Sequence, residues 1–404
     1  MISLRPFRAW RPAPDKAPHV GSRSYISYSP EQLAYELERD PYSFLHVIHP
    51  PEADEQMPRQ QRYACIRRAF QRFIQDGVIV REQEPAIYVY EQQAHGNTSR
   101  GIIVGVSVQD HLEGRIKVHE QTLTAREQLF TEYLEATGIN AEPVLLATPP
   151  GTHWQDRLLP ILSGDPLYDH VTEDGVRHKL WVACDPDIRV GLQQEFAQVE
   201  ALYIADGHHR MASSARLAEQ QHAADVDPMA WCLAYIVPHD HLHIYNYDRV
   251  VHGLNGMSAE ELLQRIGDAG SLSPIKRPRT APGTIAIRTR KGWHALELPK
   301  ASEALSPAER LDPVRLSSLI LAPMLGITDL RNDRRVSFIP GTEGPEALER
   351  MVAQGEADIA FHLHPVSFQE LRAVADSGGT MPPKSTYIEP KLRSGVTVYS
   401  LEDV

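Results

Sequence analysis

Ala201-Leu-Tyr-Ile-Ala205, followed by Asp206-Gly207-His208-His209-Arg210, is the stretch on which the reading of the chain turns. Five residues that suit a short buried strand run into an Asp-Gly pair. The residues after it carry Met211, Ala215 and Ala218 at helical spacing. The first turn of such a helix leaves backbone N–H groups without partners, and its dipole favours an anion there. Gly207 lets the backbone approach a ligand closely and take a positive φ. His208, His209 and Arg210 add donors at the same place, and arginine can grip a phosphate with two parallel hydrogen bonds. Asp206 would repel a bare phosphate, which suits it better to the work of a base or of a carboxylate near a metal. The plainer alternative is a helix capped by Asp206 with two surface histidines.

Outward from this turn the chain alternates helices with pairs of strands. Ser29, Pro30 and Gln32 form the start of a helix to about residue 38, with the spacing of a capping box. Tyr42 to Ile48 reads as a strand, and Arg59 to Asp76 as a helix closed by Gly77. Ala86 to Glu91 and Gly101 to Gln109 suit an antiparallel pair turning at Gly96-Asn97. Thr124 is placed to cap a helix reaching Thr137, Lys179 to Cys184 reads as a strand, and Leu192 to Val199 as a short helix. Strands are expected at Trp231 to Val237 and at His241 to Tyr247, then a hairpin at Thr284 to Leu298 turning at Lys291-Gly292. Paired strands between helices point to an α+β fold, not a doubly wound sheet. A composition shift near Gly253 to Ser258 divides the chain into residues 1–255 and a smaller α+β domain, 256–404, ending in a Pro- and Lys-rich tail at 381–395.

The chain has 404 residues, of which 42% are apolar and 23% charged, as expected of a soluble globular protein. Its net charge of −12 gives no electrostatic footprint for nucleic acid or anionic membrane, so neither is an expected partner. No apolar run approaches the ~18 residues that span a bilayer, and the N-terminus lacks the apolar core of a signal peptide. The odd, widely spaced cysteines Cys65, Cys184 and Cys232 read as reduced thiols. Together these point to a cytoplasmic protein.

Three further clusters carry chemistry. His119-Glu120, between a strand and a helix, pairs an imidazole with a carboxylate, a combination that serves acid–base work or a metal–phosphate contact. No histidine follows at position 123, so the zincin motif is absent. Lys384-Ser385-Thr386, after Pro382-Pro383, offers a cation and hydroxyls to an anionic substrate, although the glycines of a P-loop are missing. His239-Asp240-His241-Leu242-His243 would align its imidazoles on one strand face, where they could bind zinc or simply decorate an edge. His362 and His364 repeat that spacing.

In order along the chain, Arg11-Pro12 with Tyr25, Asp40-Pro-Tyr-Ser-Phe44, Tyr88-Val-Tyr90, His119-Glu120-x-Thr122, Ala205-Asp-Gly-His-His-Arg210 and Pro383-Lys-Ser-Thr-Tyr387 resemble the bacterial family called domain of unknown function 1015. That family is in turn similar to the ParB/sulfiredoxin-like superfamily, through the Gly-x-x-Arg turn at Gly207 to Arg210, and to kinases of free serine. The resemblance implies a ParB/sulfiredoxin-like nucleotide-binding core in residues 1–255, with the tail of the C-terminal domain returning to the site. It further implies a Mg²⁺-dependent phosphotransferase moving phosphate between ATP or ADP and a small hydroxylated, serine-like metabolite. In that scheme Gly207, His208, His209 and Arg210 hold nucleotide phosphates. Asp206, Glu120 and His119 are catalytic, with Asp206 and Glu120 also near Mg²⁺. Lys384, Ser385 and Thr386 face the substrate. A phosphoserine-type phosphatase and a nucleotide-controlled binding protein are the competing readings, and a homodimer is left open. Ser24-Tyr25-Ile26 stands where the family pattern has Pro-Tyr-Asp, and Glu127-Gln128-Leu129 where it has Asp-Arg-Leu.

Overall fold

The structure is a computed structural model that describes residues 1–54 and 56–402, the side chain of Ile26 excepted. Contacts divide the chain into two compact units, residues 1–117, 122–242 and 390–404 in the first and residues 118–121 and 243–389 in the second. The sequence had suggested spans of 1–255 and 256–404. Spatial grouping differs because the chain leaves the first unit at Leu242 and re-enters it at Pro390.

The first unit is built on a nine-stranded mixed sheet. Its order runs Ile116–Lys117, Leu202–Asp206, Val144–Thr148, Trp231–Pro238, Asn97–Ser107, Ile87–Ala94, Arg177–Ala183, Tyr168–Val171, with Leu4–Arg5 also paired to Asn97–Ser107. Ile116–Lys117 with Leu202–Asp206, and Val144–Thr148 with Trp231–Pro238, are parallel, and the other pairs are antiparallel. The central strands read as unbroken apolar runs because both faces are covered. Ile102, Val104, Leu146, Leu202, Ile204 and Ile236 are fully buried in one cluster with Trp154, Phe196 and Met211. A second cluster gathers Val20, Phe44, Phe70, Phe73 and Ile79, and the tail residue Val398 closes it.

The second unit carries a six-stranded antiparallel sheet, ordered Ser271–Ile275, Gly292–Glu297, Thr284–Thr289, Ile359–His362, Tyr247–Val251, Val336–Pro340. His243–Tyr245 pairs separately with Tyr387–Glu389. Among the described residues no helix is long and apolar enough to cross a membrane. Helices beside strand pairs in both units give the expected α+β class.

Several local expectations are met to within a few residues. The helix Pro30–Arg39 opens with the full Ser29/Gln32 capping box, and Arg59–Gln75 is helical. Ile87–Ala94 and Asn97–Ser107 form the hairpin. Others are corrected. Tyr42 to Ile48 is not a strand: Leu45–Ile48 is a helical turn in which Phe44, Leu45 and Val47 are buried. A short apolar run fits either period, and packing against the Arg59–Gln75 helix decides it. The helix expected at Leu192 starts six residues earlier, at Pro186, where the Asp185 carboxylate accepts from the Asp187 N–H at 2.8 Å. His239–His241 is a 3₁₀ turn, and a new strand begins at His243. The imidazoles of that segment therefore do not share one strand face.

A buried histidine makes the first unit sensitive to acid. His178 is 4% exposed, is stacked on Tyr90 and His170, and lies 2.7 Å from the Tyr90 hydroxyl through Nδ1. Burial, helped by the charge of Arg393, pushes its pKa down to about 3. An unfolded histidine takes its proton at about pH 6.5. Between those values the unfolded chain binds more protons, so stability falls as pH drops from about 6.5 toward 3. His178→Gln is expected to flatten that part of a urea-midpoint-versus-pH profile, and an unchanged slope would refute the assignment.

Candidate functional site

The Leu202–Asp206 strand is buried from Leu202 to Ala205 and surfaces at Asp206. Its register with Val144–Thr148 shifts between Ile204 and Asp206, so the strand's end is turned just before the loop. Gly207 then adopts φ 97° and ψ 28°, a left-handed conformation that strains any residue with a Cβ. A Cβ there would sit 3.1 Å from Arg210 Cζ and 3.2 Å from Nε. The backbone thus lies directly over the arginine's guanidinium. The helix His208–Gln220 begins at once, and its N-cap position is Gly207, which has no side chain to cap it. Its first turn is the anion-favouring end of the helix macrodipole.

The side chains of this turn divide into two groups. His208 is 5% exposed. His209 is partly exposed, yet its Nδ1 is buried and has no hydrogen-bond partner among the described residues. Burial, with the nearby charge of Arg126, lowers the His209 pKa and favours the neutral imidazole. Arg210 points inward. Its Nη2 lies 2.8 Å from Asp206 Oδ2 and 3.1 Å from Glu142 Oε1, while Nη1 donates to the Pro143 carbonyl. Burial opposes its charge, but the Glu142 and Asp206 carboxylates outweigh that and raise its pKa. Arg210 is therefore engaged inside the first unit, where the sequence had assigned it to phosphate.

The remaining predicted residues belong to the second unit. There the His119 carbonyl accepts from the Met381 N–H at 2.8 Å, so the His119-Glu120 segment and the start of the 381–389 segment are held side by side. His119 is 1% exposed. Lys384 has φ 59°, a conformation uncommon for a side-chain-bearing residue. Its Nζ lies 3.3 Å from the Tyr247 hydroxyl and 4.9 Å from that ring's centroid. Its carbonyl accepts from Arg249 Nη2 at 3.1 Å. Arg249 is fully buried, and burial lowers its pKa to about 10. Ser385 is also buried and donates to the Pro382 carbonyl at 2.8 Å, while Thr386 is partly exposed.

Glu142, Pro143, Tyr247 and Arg249 were not singled out from sequence. Arg210 and Pro143 are 67 positions apart and Arg249 and Lys384 are 135, so no spacing could have paired them. Asp248 is another such case. It is fully buried, accepting from Leu363 N–H at 3.0 Å and lying 2.8 Å from His362 Nδ1. His362 is thereby tied to a carboxylate within the sheet.

Among the described residues no group of three or more His, Cys, Asp or Glu is arranged to hold a metal. The site therefore does not fit an all-protein cage. It does fit the sparser demand of Mg²⁺ carried by a nucleotide, which asks for one or two carboxylates beside phosphate oxygens. Asp206, at the mouth of the Gly207 turn, is the first unit's candidate.

Strain at Lys384 yields a direct prediction. Lys384→Gly is expected to stabilise the protein by about 0.5–1 kcal/mol, since glycine meets no Cβ penalty at that φ, while removing the cation. Denaturant titration checks the first effect. A loss of stability would show that the Tyr247 contact outweighs the strain.

A mixed sheet with helices beside its strand pairs, one strand of which runs through a left-handed glycine turn into a histidine-bearing helix, defines an α+β protein. The chain belongs to the family described as Protein of unknown function (DUF1015), whose model matches residues 4–314. The Pro383-to-Tyr387 motif lies beyond that span. No curated protein matches the sequence. Among solved structures, a free serine kinase in complex with AMP is similar at 17% identity and a TM-score of 0.36, covering 73% of this chain and 92% of that one. SbnI with a C-terminal truncation, from Staphylococcus aureus, is similar at 15% identity and a TM-score of 0.39, covering 74% and 87%. A conserved hypothetical protein from Pyrococcus furiosus is similar at 15% identity and a TM-score of 0.36, covering 74% and 95%.

Proposed function

We propose that this chain is a Mg²⁺-dependent phosphotransferase that moves phosphate between ATP or ADP and a small hydroxylated, serine-like metabolite, on a ParB/sulfiredoxin-like core. The observation that carries the reading is the left-handed Gly207 at the N-cap position of a helix whose first turn bears His208 and His209 beside Asp206. Phosphoryl transfer needs positioning and charge neutralisation more than covalent chemistry by the protein. Backbone N–H groups of the first turn would receive a phosphate, and the neutral His209 would donate a hydrogen bond without adding charge. Arg210 would reach phosphate by giving up one of its two carboxylates, and where that one is Asp206 the same movement would release Asp206 toward Mg²⁺. The metal's part is to draw charge from the phosphate oxygens.

The roles given to His119, Glu120, Lys384, Ser385 and Thr386 belong to this proposal and are tested one substitution at a time. Lys384, exposed and held by its carbonyl, would neutralise the transferred group. Glu120 or Asp206 would take the acceptor's proton.

Phosphorus NMR tests the reading. The protein is incubated with Mg²⁺, L-serine and ATP or ADP, and in parallel with phosphoserine alone. Phosphoserine formed only when nucleotide is present is the expected result. Phosphate released from phosphoserine alone would replace the kinase by a phosphatase. Nucleotide binding without any turnover would leave a nucleotide-controlled binding protein.

A further inference from the structure

A cavity of about 490 Å³ lies in the first unit, away from the Gly207 turn. Asp206 sits opposite Leu145, near the start of the Val144–Thr148 strand. The cavity lies past that strand's other end. Val144–Thr148 and Trp231–Pro238 run parallel, with Pro238 opposite Thr148, and the loops that leave them supply Thr152, His153, Asp156, His239, Asp240 and His241 to the cavity wall. Loops at the carboxyl ends of adjacent parallel strands are where open sheets bind ligands, and the volume is that of a small-molecule site.

The polar groups there are of both signs. Arg100 also lines the cavity; its Nε and Nη2 are held 2.6 and 2.5 Å from Glu91 Oε2, leaving Nη1 without a partner among the described residues. His241 is fixed through Nδ1, which lies 3.1 Å from Arg100 N and 3.0 Å from Arg100 O, so Nε2 is its outward-acting atom. The side chain of His153 makes no hydrogen bond among the described residues, and the same is true of the exposed carboxylates of Asp156 and Asp240. Leu158, Leu159 and Leu162 give the cavity an apolar side. A plain anion would meet two unscreened carboxylates, and a plain cation would meet a guanidinium. A molecule with both charges and an apolar arm meets complementary partners throughout.

We propose that this cavity binds an α-amino acid with an apolar side chain. Arg100 Nη1 and the imidazoles of His153 and His241 receive its carboxylate, Asp156 and Asp240 its ammonium, and the leucines its side chain. This goes beyond the phosphotransferase reading and does not depend on it.

Isothermal calorimetry on the full chain tests the proposal, with L-phenylalanine and L-leucine as probes. Phenethylamine and 3-phenylpropanoate each lack one of the charges. The amino acids are expected to bind at least about tenfold more tightly than either control, a difference of about 1.4 kcal/mol. Asp156→Asn with Asp240→Asn is expected to weaken the amino acids by a similar factor. His153→Ala, at an exposed position, is expected to weaken both the amino acids and 3-phenylpropanoate. AMP titrated against each variant reports separately on the Gly207 turn. No saturation by about 10 mM amino acid, or equal binding of either control, would overturn the proposal. So would unchanged amino-acid binding in the double aspartate variant.

Discussion

Arg210→Ala is expected to lower stability by about 2–3 kcal/mol, somewhat under the 3–5 kcal/mol typical when a fully buried ion pair loses one partner. The discount follows from exposure: the Asp206 side chain is 42% exposed and that of Glu142 27%, so water takes up part of the uncompensated charge. In a unit of this size the loss corresponds to a fall in Tm on the order of 5–10 °C. Adding Glu142→Gln to Arg210→Ala removes one of the stranded carboxylates and is expected to recover part of that fall. A double variant no more stable than Arg210→Ala would mean that Glu142 is not the arginine's working partner. Arg210→Lys keeps the charge but not the fork that serves Asp206, Glu142 and the Pro143 carbonyl together, so an intermediate Tm is expected. Nucleotide affinity separates the arginine's two roles. If Arg210 only braces the turn, the Lys variant binds AMP as the parent does. If it also meets phosphate, affinity falls further than stability accounts for.

Gly207→Val is expected to weaken anion binding at the turn at least tenfold while leaving the protein folded. The left-handed backbone costs a side-chain-bearing residue about 1–2 kcal/mol, and more for a β-branched one. The new Cβ also presses on the Arg210 guanidinium at 3.1 Å. Relief requires the peptide between residues 206 and 208 to rotate, which re-aims the N–H groups of the first turn. The expected readout is at least a tenfold loss of AMP affinity by calorimetry, or about 1.4 kcal/mol or more, with far-UV circular dichroism unchanged. Gly207→Asn is the control, because asparagine tolerates this conformation, and it should retain more binding than valine. Equal affinities for glycine, asparagine and valine would sink the cradle.

The strand, turn and helix around Asp206-Gly207 were legible because all their signals are local: an apolar run, a turn pair, then helical spacing. The Asn97 hairpin and the capped helix at Pro30 were legible for the same reason. What stayed hidden was what Arg210 touches. An arginine after Gly-His-His suggests an anion from outside, and nothing near it in sequence says that Glu142 already supplies one. The link between Arg249 and Lys384 is hidden in the same way, although the positive φ of Lys384 marks that position in the fold. The His239 segment misled differently. Pro238 cannot donate a ladder hydrogen bond onward, and that local signal outweighs the alternation of the histidines. At Tyr42 to Ile48 the apolar pattern fitted both periods, and only packing chose.

The path of the chain through its two units bears on how it is made. Val398 exchanges backbone hydrogen bonds with Trp10, and Tyr399 pairs with Asn140, so residues 390–402 complete a unit whose other parts were synthesised long before. On a ribosome all segments of the second unit, the early 118–121 stretch included, are made before residues 390–402, while the first must wait for them with the Phe44–Phe70–Phe73 cluster open on one side. Residues 390–402 thus act as a latch, and their removal is expected to leave that cluster accessible to a chaperone or a protease. Pulse proteolysis of the truncated chain, with cleavage mapped to residues 1–81, would reveal it.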